Sequence, residues 1–314
     1  MTEKDQGQTG DLDERIDSLP RRVNHTALTS LAAAFKESVD RVDFLAITPH
    51  ILISHGYGEA ASFNFFSQLA ETKDITGVSG FDDWFERVRS RVEAVAAQPE
   101  AQEKWRKHLW ETANRHLASL LSDKKATEAL RSLKLARLVL GWTAFECLSR
   151  DAWEAALNES PAGLAQQTVR GLPSEEDSES GLTRKQVPVA FLSKFGFDLR
   201  KRMGTVLRSK FDFTSVSGMR QAYIAAFGDK KELSSIFAEP ELMQLEAFRN
   251  LIVHRGGIVD EEYLKRSGAT HEIGQPLSPD DEVITATLNA MKSSGCELLL
   301  FVDQTLTSLV TKGD

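Results

Sequence analysis

Apolar residues recur at three- and four-residue steps through most of this chain, the period of helices that bury one face. Leu135, Leu138, Trp142, Phe145 and Leu148 make one such seam, inside a helix predicted from Lys125 to Leu157, the longest in the chain. Leu242, Leu245, Phe248 and Ile252 make another, on a helix that opens at Glu241 and stops at Gly256-Gly257. Further helices are predicted over Ala27–Val42, from Phe81 to about Val95, over Glu100–Leu121, and from about Asp280 to Leu309. No run alternates polar and apolar positions as a half-buried strand would. The expected fold class is therefore all-α, with a helical domain over 25–125 and a helical bundle over 126–314. Residues 1–24 carry many acids, amides and small residues and few apolar ones, which predicts a mobile tail. A loop is predicted over Gly171–Pro188, around the acidic stretch Ser174–Gly181.

Composition narrows the class without choosing a function. The chain has 314 residues, 41% hydrophobic and 27% charged, as ordinary globular proteins do. Its two cysteines, Cys147 and Cys296, sit in apolar helical stretches and read as reduced core residues. The seven histidines lie apart, with no pair at zinc spacing, so neither a metal nor another cofactor is expected. Met1–Leu19 is acidic and polar, unlike a secretory signal. The apolar run near Leu133–Leu148 is broken by Lys134, Arg137 and Glu146, which predicts no membrane span and a cytoplasmic protein. A net charge of −8 argues against a general nucleic-acid coat protein but leaves room for a local basic groove.

Such a groove has one sequence candidate. After the acidic loop the charge reverses: Arg184, Lys185, Lys194, Arg200, Lys201, Arg202, Arg208 and Lys210 face only Asp198 as an acid. Phe191, Phe195, Phe197 and Phe211 interleave with them. Single-stranded nucleic acid needs that mixture, cations for phosphates and rings for bases. The alternative is that the phenylalanines are core and the cations a solvated face.

The helix from Glu241 holds the sharper anomaly. Arg249 falls within its apolar stripe, four residues after Leu245 and three before Ile252. A guanidinium placed there needs a carboxylate, a phosphate or a route to water. Asn250 and His254, four apart, share the neighbouring flank. Glu146, one turn before Arg150 on the long helix, either forms a surface pair with it or reaches across the bundle to Arg249 or His254.

The segment Arg249-Asn250-Leu251-Ile252-Val253-His254 resembles the signature of the HEPN superfamily: an arginine, often followed by a polar residue, then a histidine after four to six intervening positions. Its placement near the end of an amphipathic helix, before a loop and a last long helix, matches that resemblance. So does the long helix upstream with an acid at Glu146. The likeness covers roughly the last 185 residues. It implies a HEPN-like helical bundle and a metal-independent endoribonuclease, of the kind that serves as a toxin or antiviral defence effector.

The residue types suit that chemistry. A metal-independent ribonuclease must deprotonate the ribose 2′-OH, stabilise charge on the phosphorane and protonate the leaving oxygen. Histidine transfers protons near neutrality. Arginine keeps its charge, and its planar fork matches two phosphate oxygens. Asparagine can hold a phosphate oxygen or fix the imidazole tautomer. Arg249, Asn250 and His254 are thus the candidate catalytic residues, Glu146 a candidate support, and Arg255, Lys201 and Arg202 candidate RNA contacts. On one helix Arg249 and His254 are about 140° apart, five steps of roughly 100°. The resemblance implies a homodimer in which two motifs form one cleft, with RNA as substrate and an antitoxin or regulatory partner. HEPN toxins controlled by a nucleotidyltransferase often carry a tyrosine two residues after the histidine. That position is Gly256 here, which argues against such control. The competing expectations are a HEPN module that binds a nucleotide or protein without turnover, and a helical scaffold with Arg249 in a core ion pair.

Overall fold

The computed structural model describes residues 3–70, 80–172 and 187–312, and among them the fold is all-α. In chain order the helices are α1 Glu3–Arg22, α2 Thr26–Leu69, α3 Phe81–Ala96, α4 Pro99–Leu120 and α5 Lys124–Glu159. After a π-helical turn at Pro161–Ala165 come α6 Gln166–Gly171, α7 Val189–Ser193 and α8 Met203–Leu207. The 3₁₀ turn Arg208–Lys210 precedes α9 Val216–Phe227, α10 Lys231–Phe237, α11 Pro240–Arg255, α12 Glu261–Ser267 and α13 Asp281–Lys312. The only extended pairing among the described residues is a single antiparallel bridge between Ile258 and Pro276.

The chain divides into two compact units, Met1–Val42 with Lys134–Asp314, and Asp43–Leu133. The expected boundaries at 24/25 and 125/126 differ from this division at both ends. The N-terminal stretch is the larger difference: where composition predicts a mobile tail, α1 packs along α13. Its few apolar residues, Leu12, Ile16 and Leu19, and Val23 just past its end step by four, three and four and are all buried. A low apolar count thus concealed a complete helical face.

A buried acid fastens the same region. Asp303 on α13 is 2% exposed. It accepts backbone N–H bonds from Asn24 at 3.0 Å and His25 at 2.7 Å, and a side-chain bond from Asn24 at 3.2 Å. These donors stand at the start of α2, where unpaired amides and the helix dipole both favour an anion.

The core of this unit is built on α5. Leu135, Leu138, Trp142, Phe145 and Leu148 are all buried, as their spacing predicts. Trp153 and Tyr223 are fully buried, and their polar ends are satisfied: the Trp153 indole donates to the Ala222 carbonyl at 2.9 Å, the Tyr223 hydroxyl to the Ser149 carbonyl at 2.8 Å. Both cysteines are free thiols, Cys147 half-buried and Cys296 fully buried. The second unit has its own small core of Phe66, Ala70, Val88, Val92, Ala101 and Trp105. Around it rings associate: His50 stacks on Trp110 at 4.4 Å, and Phe65 lies 4.9 Å from Trp105. No helix among the described residues is long and apolar enough to cross a membrane.

Candidate functional site

Local rules set both ends of α11. Pro240 occupies its first turn, where no intrahelical N–H is needed, and Glu241 adds an acid to that turn. At the other end Gly256 takes a left-handed conformation (φ 63°), and the Gly257 N–H returns to the Leu251 carbonyl at 3.2 Å. The helix packs against α13, α12 and α9, so its buried side is wider than the predicted stripe. Leu242, Leu245, Ala247, Phe248 and Leu251 are buried, while Ile252 is only partly so.

Arg249 stands at the edge of that buried side with a polar escort. One guanidinium nitrogen donates to the Asn250 side-chain oxygen at 3.0 Å, and the other lies 3.9 Å from Glu146 Oε2 on α5. That carboxylate oxygen also accepts the Trp142 indole N–H at 2.9 Å. The Arg249 and Glu146 side chains are 22% and 19% exposed, so the contact borders water without being open to it. Arg150 pairs instead with its neighbour Asp151 at 2.8 Å.

Asn250 and His254 share a flank and line the same hollow, of about 320 Å³, between α11 and α12. Ala247 and Leu251 give it an apolar side; Arg255, Asp260, Glu262, Tyr263 and Arg266 complete it. His254 is exposed at its edge. Arg249 does not line this hollow, so one chain holds the arginine and the histidine of the motif on different sides of α11.

A short tie fixes the far wall. Asp260 Oδ1 caps α12 by accepting the Tyr263 N–H at 2.8 Å, while Oδ2 accepts Arg255 Nε at 3.0 Å. One carboxylate therefore joins the last residue of α11 to the first turn of α12. Arg266 pairs with Glu262 at 2.7 Å, one turn back, and approaches Glu246 of α11 at 3.9 Å. The Tyr263 ring stacks near Phe248, and burial pushes its phenol above the usual range. Asp260, Tyr263 and Arg266 were not among the sequence candidates. Their signals were present, as an acid three residues before Tyr263 in a capping position and a Glu262–Arg266 pair at helical spacing.

Lys201 and Arg202 lie elsewhere. Lys201 pairs with Glu159 at 3.2 Å, at the end of α5, thirteen residues or roughly 20 Å along the helix from Glu146. Several cations of the basic, aromatic stretch are already engaged. Arg200 grips Asp198 and holds its carboxyl down at about 2, and Arg208 pairs with Glu154 at 2.8 Å. Phe211 packs against buried Trp153, a core role, whereas Phe191 and Phe195 contact each other with Lys194 over the Phe191 ring. Arg184, Lys185 and the acidic stretch 174–181 lie outside the described residues. Compared with known proteins, this chain matches no family model, no curated protein and no solved structure.

Proposed function

We propose that the chain is a metal-independent endoribonuclease of the HEPN type, acting as a toxin or defence effector on RNA. The observation that carries the reading is the placement of Asn250 and His254 on one hollow with Arg249 beside them on the same helix. In the proposed reaction His254 takes the ribose 2′-OH proton, and the 2′-oxygen attacks phosphorus. Arg249 and Asn250 hold the non-bridging oxygens as their charge grows. The 5′-oxygen leaves and takes up a proton. The products are a 2′,3′-cyclic phosphate and a 5′-hydroxyl.

Because Arg249 and His254 face different sides of α11, the complete cleft takes two copies of the chain. Met243 and Val253, about half exposed on the outward face of α11, supply apolar surface for such a dimer. Glu146 keeps Arg249 extended toward the cleft. The test is an RNA with a single 2′-deoxynucleotide at the mapped cleavage position. It should resist cutting there, while the unmodified strand yields cyclic-phosphate ends; cleavage at the deoxy position overturns the reaction.

The contacts around Arg249 also favour a second reading, a helical scaffold in which Arg249 is a salt-bridged core residue. There Arg249 joins α11 to α5, and Arg249→Ala costs about 3–5 kcal/mol of stability, as loss of a buried ion-pair partner does. The ribonuclease reading places the loss nearer 1 kcal/mol, because the pair is long and borders solvent. Chemical denaturation of Arg249→Ala separates the two.

A further inference from the structure

We infer that the hollow between α11 and α12 is a subsite for one nucleotide of a single-stranded RNA, with Arg266 as its principal phosphate ligand. This rests on the ribonuclease reading and adds to it where the strand lies beside the motif. Three observations carry it.

The first is size and place. A hollow of about 320 Å³ is at the small end of the roughly 300–1,000 Å³ range for ligand pockets, room for one nucleotide. Asn250 and His254 stand on its α11 wall, so a nucleotide seated there lies next to the scissile phosphate.

The second is charge. The lining carries Arg255 and Arg266 against Asp260 and Glu262. Asp260 is committed, since it caps α12 and holds Arg255 at once. The Arg266–Glu262 pair is different. Its side chains are 50% and 62% exposed, and exposed pairs one turn apart contribute little to stability. Glu246 of α11 lies 3.9 Å from Arg266, too far for a direct hydrogen bond, so the guanidinium keeps N–H groups for a phosphate, which offers it two charge-assisted bonds.

The third is the wall itself. Tyr263 is 3% exposed, and its ring stacks near Phe248, which fixes this wall of the hollow. Ala247 and Leu251 offer the apolar surface that a ribose or base face needs.

The test titrates adenosine 3′-monophosphate and adenosine, each to millimolar concentration, into wild type, Arg266→Gln and Tyr263→Phe by calorimetry. Cleavage of labelled RNA by the same proteins is measured in parallel. Wild type should bind the monophosphate about ten-fold more tightly than adenosine. Arg266→Gln should remove most of that difference and raise KM for RNA about five-fold with kcat unchanged, the mark of lost ground-state binding. Tyr263→Phe removes only a phenol oxygen buried away from the hollow, so it should not lower the melting temperature and should bind the monophosphate as wild type does. Equal monophosphate binding by all three proteins, or none by wild type, overturns the subsite. RNA cleavage with an unchanged KM in Arg266→Gln sinks the subsite and leaves the ribonuclease standing. Arg266-dependent binding without any cleavage does the reverse.

Discussion

Arg249 and Glu146 meet across two helices through an oxygen that a third residue already holds. Glu146 Oε2 takes the Trp142 indole N–H at 2.9 Å and lies 3.9 Å from the Arg249 guanidinium. The indole fixes the carboxylate, and the carboxylate fixes the arginine. Glu146→Gln keeps an acceptor for Trp142 but removes the charge. It should lower kcat for RNA about ten-fold with little change in KM or melting temperature. An unchanged kcat would remove Glu146 from the mechanism.

Asp303 should matter more for stability than any residue of the motif. Asp303→Ala strands two backbone amides at the start of α2 and removes a buried, charge-assisted acceptor. The expected loss is about 3 kcal/mol by urea denaturation, with faster proteolysis within residues 3–22. A loss under about 1 kcal/mol would mean that packing along α13 alone holds α1.

Gly256 terminates the motif helix in a left-handed conformation with open space around it. Gly256→Ala therefore meets no neighbour, and its cost is backbone strain of about 1 kcal/mol. Gly256→Asn should cost less, since asparagine tolerates that conformation. Equal stability of all three proteins in thermal melts would show that the turn is not held in this conformation.

The two thiols should separate by reactivity. Burial pushes Cys296 up to about 11, so at pH 8 it stays protonated and unreactive in the folded chain. Half-buried Cys147 should take up a thiol reagent first, giving one equivalent natively and two in denaturant. The same shift has a linkage sign. Because the folded value exceeds the unfolded one of about 8.5, this contribution to stability is full below that pH and is lost as pH rises toward 11. Two equivalents in the native protein at pH 8 would contradict the buried environment.

The helices were legible because Leu135 to Leu148 and Leu242 to Phe248 repeat at helical steps, and burial follows that period directly. Helix α1 was not, because its three buried apolar residues are diluted by acids and Asp303, which fastens the chain just past its end, lies some 280 residues away in sequence. The sharing of one hollow by Asn250 and His254 followed from their spacing. The opposite wall did not, since only the turn at Gly256-Gly257 brings Tyr263 and Arg266 back beside α11. Spacing likewise marked Arg249 as out of place on an apolar face, but only folding identifies Glu146 as the carboxylate it approaches.

The most direct measurement incubates wild type, Arg249→Ala and His254→Ala, each of verified fold, with labelled single-stranded RNA in EDTA. Cleavage by wild type alone is the predicted result. Equal cleavage by all three proteins would contradict the assigned residues, and RNA binding without cleavage by wild type would contradict the enzyme itself.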